Sequence, residues 1–488
     1  MTINKSVKGN FIWNLARILL TIIFPLISFP YVSRILGTDG LGKVNYISSV
    51  SAFFVMFALL GIPTYAIREG AKIRDEKEKL GKFATEILLI GIISSTIALI
   101  AYISLFYFPE FTNYRELLIV FGFSIPFSII GVSWLYQIVE DYKRITLQSI
   151  IFQVLSLIML FIFVRDRGDF IQYGLITVFS SVGSNILYLI HARKYVKFFG
   201  YKKYNFKRHL KPILIIFGMS VASSMYLNFD ITMLGFMKDE TSVGLYSAAV
   251  KINRLVIVLI SSLSTVILAR LTYYIQNNNK DGFEKLLYKT SNFILLLAIP
   301  ATFGLYLLSE PLILMFSGNE FKDASLTMKI LSVNVLFAPL NGLIAYQVFM
   351  PHNKEKFSLY AVLVGCVINL ILNVIVIPVY AQNGAALTTV LAEISVFIMG
   401  LYLGRKLINI RRLFNGIQQF LLSSLSIIFI YTMVILITDN IFLHVILTTI
   451  FGCAIYLTTL KLFKNELVLE LFQIIYRLFM KKSKQRIY

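Results

Sequence analysis

The sequence predicts an all-α polytopic membrane protein with about fourteen transmembrane helices and both termini in the cytoplasm. Three observations predict it. Apolar runs of spanning length recur from one end of the chain to the other. Hydrophobic residues make up 57% and charged residues 15%, with a mean hydropathy of +0.77, whereas soluble domains sit near 45–50% apolar and about 25% charged. Finally, Lys and Arg collect in alternate connections rather than uniformly.

A spanning helix takes roughly 20 mostly apolar residues. By that measure the spans fall near 11–31, 44–64, 84–108, 115–138, 145–164, 172–192 and 213–236, then 244–270, 289–309, 326–350, 358–379, 384–404, 417–438 and 443–463. The first, eighth and tenth carry charges. The first run is too long for a signal core and has no small-residue cleavage site after it, so it is expected to stay as a helix.

Orientation follows from the basic residues. One side holds Lys5, Lys8, Arg68 to Lys82, Lys143, Arg144, Arg193 to Lys211, Lys280 to Lys289, Lys354, Lys356, Arg405 to Arg412 and the tail. The other holds only Arg34, Lys43, Arg115, Arg165, Arg167, Lys238 and Lys322. A ratio of roughly five to one places the first side, and both termini, inside. The net charge of +21 therefore reads as inner loops touching anionic headgroups, and no nucleic-acid partner is expected.

The outer loops are short; the longest, near 310–325, has no room for a catalytic fold. The longest inner connection, 193–212, is strongly basic and lies between spans six and seven, where a two-lobed transporter would join its halves. This organises the chain as 1–192, a linker 193–212, 213–404, two further spans in 405–463, and a basic tail 464–488. Within the tail, 467–480 reads as an amphipathic helix on the inner leaflet. A weak internal repeat aligns Leu36-Gly37, Asp39, Gly42 and Tyr46 with Leu234-Gly235, Asp239, Gly244 and Tyr246.

An ionisable group at mid-membrane costs about 2.5–3.5 kcal/mol on insertion scales and so marks a functional position. Arg17 lies in the first span, Asp230 in the seventh, and Lys251 and Arg254 three apart in the eighth, on one helical face. Arg270 closes the eighth span, and Glu393 sits mid-way along the twelfth. Cations outnumber anions, and fixed cations without enough carboxylates attract a phosphate or pyrophosphate. Plainer readings stand beside this one. Asp230 pairs with Lys251 or Arg254 as a packing ion pair, Arg17 snorkels to the inner interface, and Arg270 is an interfacial anchor. Glu393 either couples transport to a proton or sodium ion or accepts a hydrogen bond. Asn334 and Asn341 in the tenth span, and Asn369 and Asn373 on one face of the eleventh, offer hydrogen bonds to a sugar chain or act as interhelical glue. Pro25, Pro30, Pro126, Pro300 and Pro339 allow bends.

No catalytic constellation is visible. Cys366 and Cys453 lie inside apolar runs, and His191, His209, His352 and His444 share no spacing, so neither disulfide nor metal is expected. There is no phosphate-cradling glycine loop, which argues against ATP hydrolysis. No cofactor is expected, and the chain is read as a transporter rather than an enzyme.

At the first hairpin, the run Pro30-Tyr31-Val32-Ser33-Arg34-Ile35-Leu36-Gly37-Thr38-Asp39-Gly40-Leu41-Gly42, followed by Asn45, resembles the N-terminal signature of the polysaccharide biosynthesis flippases of Wzx type. These belong to the multidrug/oligosaccharidyl-lipid/polysaccharide superfamily. Leu60-Gly61-Ile62 with Tyr65, Arg68 and Glu69 continues the pattern, and Asp230 through Gly244-Leu245-Tyr246-Ser247-Ala248-Ala249 to Lys251-Ile252 resembles the element that opens the second half. The resemblance implies two six-helix lobes around a cationic cavity, plus two C-terminal helices. It implies flipping of undecaprenyl-pyrophosphate-linked oligosaccharide repeat units across the bacterial cytoplasmic (inner) membrane by alternating access, for O-antigen or capsule assembly. The cavity cations would then be Arg17, Lys251 and Arg254, with Arg34 and Arg68 at opposite mouths. Membrane lipids, a polysaccharide polymerase and a chain-length regulator would be the partners. The competing readings are a MATE-like exporter, for which the carboxylates Asp230 and Glu393 are few, a lipid II-type flippase, and a membrane glycan polymerase, which would want a larger outer loop.

Overall fold

The computed structural model describes the backbone of residues 7–470 and 472–473, and the side chains of that range except 7–12, 14–23, 219–220, 222–227, 263–266 and 269. Every regular element among these is helical. Among the described residues ten helices are long and apolar enough to cross a membrane, eleven if the bent pair Ala324–Ser332 and Asn334–Phe349 is one span. The expected tail helix at 467–480 lies mostly outside the described residues.

Two very long helices are broken in the middle. Val7–Leu59 runs 53 residues and turns at Gly37 (φ 67°), and Glu355–Gly404 runs 50 residues and turns at Ala381 (φ 47°). At 1.5 Å per residue each would reach about 75 Å unbroken, more than twice the ~30 Å hydrocarbon core, so each break divides a helix long enough for two spans. Gly37 meets its left-handed backbone without a Cβ penalty. Ala381, three residues after Pro378, does not.

Smaller bends have local causes. The stretch from Arg115 to Ile138 is three short helices, with Val132 at φ 23° before the last. The 44° bend near Val333 is followed by Pro339 and a π-helical turn, Leu343–Phe349, the kind of interruption that kinks a helix by displacing its i→i−4 bonds.

The chain packs as two compact units, 1–247 and 248–488. In the first, the helices on either side of Gly37 pack on Lys77–Ile103, Tyr142–Phe163 and Lys207–Met237, around the fully buried Phe29, Val32, Leu41 and Ile47. The buried Tyr102 hydroxyl bonds Ser51 and the Leu118 carbonyl, each at 2.9 Å. In the second, Lys280–Leu307 is the hub, packing on Ala324–Ser332, Asn334–Gly342 and the hairpin Ile417–Ile437 with Ile441–Leu462. There Tyr456 donates to the Leu296 carbonyl at 2.9 Å. Both units present large aliphatic side chains outward: Ile97 is 63% exposed, Ile100 65% and Val379 69%. Such surfaces suit lipid and not water.

Candidate functional site

The first unit brings the two halves of the weak repeat into direct contact. A Cβ at Gly42 would fall 1.8 Å from the Glu240 carbonyl oxygen, and one at Gly244 would fall 2.1 Å from the Thr38 carbonyl oxygen. Each turn is thus seated on the glycine of the other. Gly235 lies as tightly against the Tyr46 ring. Around this joint Tyr114 donates to Glu240 at 2.5 Å, and the hydroxyls of Ser49 and Thr232 lie 2.9 Å apart. Asp230, 5% exposed, accepts from Tyr246 at 3.0 Å.

The basic connection after residue 192 is fastened to this unit. The Tyr195 hydroxyl donates to Asp141; burial and that carboxylate push the phenol well above its ordinary range, so it remains a donor. The Phe199 amide bonds Thr85 at 3.2 Å, and the Asn205 amide bonds Glu86 at 2.8 Å. Glu86 itself is fully buried and also accepts from Arg208 at 2.7 Å, with His209 Nε2 at 2.8 Å from the same oxygen. Tyr65 closes the cluster, its hydroxyl 2.7 Å from His209 Nδ1. A buried carboxylate surrounded by three donors is satisfied, but removing it strands the partners. Glu86→Ala is expected to destabilise by somewhat less than the usual ~3–5 kcal/mol for breaking a buried pair, because Arg208 is half exposed. A fall of several degrees in the melting temperature of the detergent-purified protein would register it; no change would show the cluster to be energetically idle.

In the second unit, Lys251 is half buried and Arg254 exposed. Between them Asn253, 3% exposed, donates to the Leu331 carbonyl at 2.7 Å and fixes the rotation of the helix. Arg254 has no hydrogen bond or ion pair among the described residues. Glu393, 8% exposed, accepts from the Asn341 amide at 2.5 Å. Asn373 donates to Asn369 at 3.1 Å and accepts from Thr388. Yet Asn334 Oδ1, Asn341 Oδ1 and Asn369 Nδ2 are buried without a partner among the described residues. An unmet buried polar atom costs about 1–3 kcal/mol, so each of these atoms has capacity for a further hydrogen bond.

Of the remaining sequence candidates, the Arg17 side chain lies outside the described residues. Arg34 is exposed and donates to the Pro30 carbonyl at 2.6 Å. Arg68 is exposed and ion-paired with Glu69 at 2.9 Å. Sequence reasoning missed Glu86 and read His209 only as one of four histidines with no shared spacing. They are 123 residues apart, and the one signal available was a carboxylate inside the third apolar run. Among the described residues no cluster of His, Cys, Asp and Glu could hold a metal ion.

Comparison with known proteins places this architecture. The family described as "Polysaccharide biosynthesis protein" matches residues 7–272, and that described as "Lipid II flippase MurJ" matches 204–458. The chain is 26% identical over 378 residues to the "Putative O-antigen transporter" of Escherichia coli (strain K12), covering 76% of this chain and 90% of that protein. It is 23% identical over 402 residues to the "Capsular polysaccharide biosynthesis protein CapF" of Staphylococcus aureus, covering 76% and 93%. In fold it is similar to the solved lipid II flippase MurJ in an inward closed conformation, with a TM-score of 0.75 at 20% identity over 94% of this chain and 100% of that one.

Proposed function

Since the chain belongs to the polysaccharide biosynthesis protein family, as a Wzx-type flippase of the multidrug/oligosaccharidyl-lipid/polysaccharide superfamily, we propose that its cargo is an undecaprenyl-pyrophosphate-linked oligosaccharide repeat unit. That the protein is a multi-pass membrane transporter acting on lipid-linked polysaccharide precursors, and not an enzyme, follows from the family. The cargo's headgroup is the proposal, and Arg254 is the observation that carries it: an arginine inside a membrane helix, with no carboxylate spent on it among the described residues. A guanidinium without a counter-charge suits a diphosphate, which can accept two parallel N–H bonds.

In this reading Lys251 and Arg254 hold the diphosphate with Arg17, while Arg34 and Arg68 draw it at the mouths. Asn334, Asn341, Asn369 and Asn373 face the sugars, and Asp230 or Glu393 carries a coupling ion. Breaks at Gly37 and Ala381 divide each long helix in two and raise the ten or eleven spans among the described residues to twelve or thirteen, in line with about fourteen in the whole chain; the basic residues put both termini inside. The first six would form one lobe, 1–192, and the next six the other, 213–404, joined by 193–212. The two spans of 405–463 and the tail 464–488 complete the chain. The membrane is the bacterial inner membrane, with a polymerase and chain-length regulator downstream.

A second reading is favoured by the match of residues 204–458: the same diphosphate headgroup bearing a peptidoglycan precursor. Complementation separates the two. Expression in a bacterium lacking its own repeat-unit flippase is expected to restore surface polysaccharide. Restoration only of a strain lacking its peptidoglycan-precursor flippase would transfer the assignment to the second reading, and restoration of neither would overturn both.

A further inference from the structure

Far from Arg254, the second unit holds a concentration of positive charge without acidic partners. Lys280, Arg405, Lys406 and Arg411 line one open cavity of 840 Å³, with His352 beside them and Phe283 and Ile408 in its apolar wall. The one carboxylate in the lining, Glu284, is already paired with Arg412 at 2.9 Å. None of the four cations has an acidic partner among the described residues. Four like charges around one concavity repel one another, and the low-dielectric wall strengthens the field they share. The arrangement is stable in proportion to the negative charge it collects.

The geometry around them is fixed. The Arg405 guanidinium sits over the Tyr402 ring, 4.2 Å from its centroid. The turn that follows is held by the Leu407 and Ile408 amides, both bonded to the Gly404 carbonyl, and by the Asn409 amide on the Tyr288 hydroxyl at 3.1 Å. The Asn409 side chain caps the Arg411 amide at 3.1 Å. The cavity sits where the spans Lys280–Leu307, Glu355–Gly404 and Ile410–Ile437 begin or end, the depth at which lipid headgroups lie. Ile275 in its lining is 21 residues beyond Arg254 on one helix, about 30 Å at 1.5 Å per residue. It is a separate place from the Lys251–Arg254 pair.

We propose that this cavity binds the phosphate headgroup of a lipid in the inner leaflet. Guanidinium and ammonium groups converge on the phosphate oxygens while Phe283 and Ile408 receive the first part of the lipid's apolar body. Two lipids share that chemistry: an anionic phospholipid of the membrane itself and a polyprenyl diphosphate. The site does not depend on which cargo the transporter carries.

The test uses the full-length protein in neutral detergent, titrated with phosphatidylglycerol, a polyprenyl diphosphate, phosphatidylcholine and inorganic pyrophosphate, with retained ligand counted by native mass spectrometry. The variant Lys280→Gln/Arg405→Gln/Arg411→Gln alters exposed side chains only. It is expected to lose affinity for phosphate-headgroup lipid by about tenfold or more, as loss of charge-assisted bonds requires. Arg405→Lys/Arg411→Lys should keep most of it, and Lys251→Ala/Arg254→Ala should leave this site filled. Preference for phosphatidylglycerol identifies a resident phospholipid, and preference for the polyprenyl diphosphate identifies an isoprenoid carrier; either supports the site. Equal retention by wild type and the triple variant overturns it, as does binding of inorganic pyrophosphate with no lipid retained.

Discussion

Gly244→Ala is expected to pry apart the joint between the two turns of the first unit and to depress transport. The new methyl group would lie 2.1 Å from the Thr38 carbonyl oxygen and 2.9 Å from its carbon. Both are backbone atoms, so no side-chain rotation relieves the clash. Gly42→Ala should behave alike, its methyl lying 1.8 Å from the Glu240 carbonyl oxygen. Overpacking of this kind costs about 1–3 kcal/mol, which shifts a two-state equilibrium about 5–150-fold away from the joined arrangement. Cysteines at Ser49 and Thr232, whose hydroxyls lie 2.9 Å apart, report the joint directly in a background with Cys366 and Cys453 replaced by Ala. Oxidation should link them quickly when Gly244 is present and several-fold more slowly with Ala. Gly168→Ala, with nothing within 4 Å of its added methyl, serves as the inert control. Equal linking in all three would show that the turns do not rely on glycine to meet.

The second large effect concerns Lys251 and Arg254. A charge-assisted hydrogen bond contributes about 1.5–3 kcal/mol, so each Ala substitution is expected to lower flipping about 10–100-fold, and the pair more. Folding should be nearly untouched by Arg254→Ala: the side chain is exposed and bonded to nothing among the described residues, and such changes stay within about 0.5 kcal/mol. Loss of activity without loss of stability is therefore the expected signature. Arg254→Lys should recover part of the rate, since the charge returns but the two-pronged geometry does not. If Arg254→Ala lowers the melting temperature and the rate together, the residue is structural.

The spans were legible because hydrocarbon admits backbone only as helix, so length and apolarity alone mark them. The two breaks were legible with them: Gly37, among Arg34, Asp39 and Lys43, and Ala381 fall in the connections that the span boundaries leave between 31 and 44 and between 379 and 384. The weak repeat carried more than its spacing suggested, because Gly42 and Gly244 record where two backbones touch, and backbone contact leaves no mark except a missing side chain. The intramembrane charges stood out against their apolar neighbours, as Asp230, Lys251, Arg254 and Glu393 show. Their pairings did not: Tyr246 and Asn341 were singled out for other reasons, and only the fold sets them beside Asp230 and Glu393. The Glu86–His209–Tyr65 cluster was illegible for the same reason: three elements separated by many residues meet at one imidazole, which bonds Glu86 through Nε2 and Tyr65 through Nδ1. The cavity at Arg405 looked like one more basic inner loop, and only its concavity, with its one carboxylate Glu284 already paired to Arg412, set it apart.

The most direct measurement reconstitutes the protein in liposomes carrying a fluorescent polyprenyl-diphosphate oligosaccharide and follows its appearance in the opposite leaflet through a membrane-impermeant quencher. Wild-type protein is predicted to equilibrate the glycolipid between leaflets, and Lys251→Ala/Arg254→Ala to leave it trapped where it began. Movement of the glycolipid at equal rates in both, or movement of a cationic dye in its place, would contradict the claim that Lys251 and Arg254 within the membrane carry a diphosphate headgroup across.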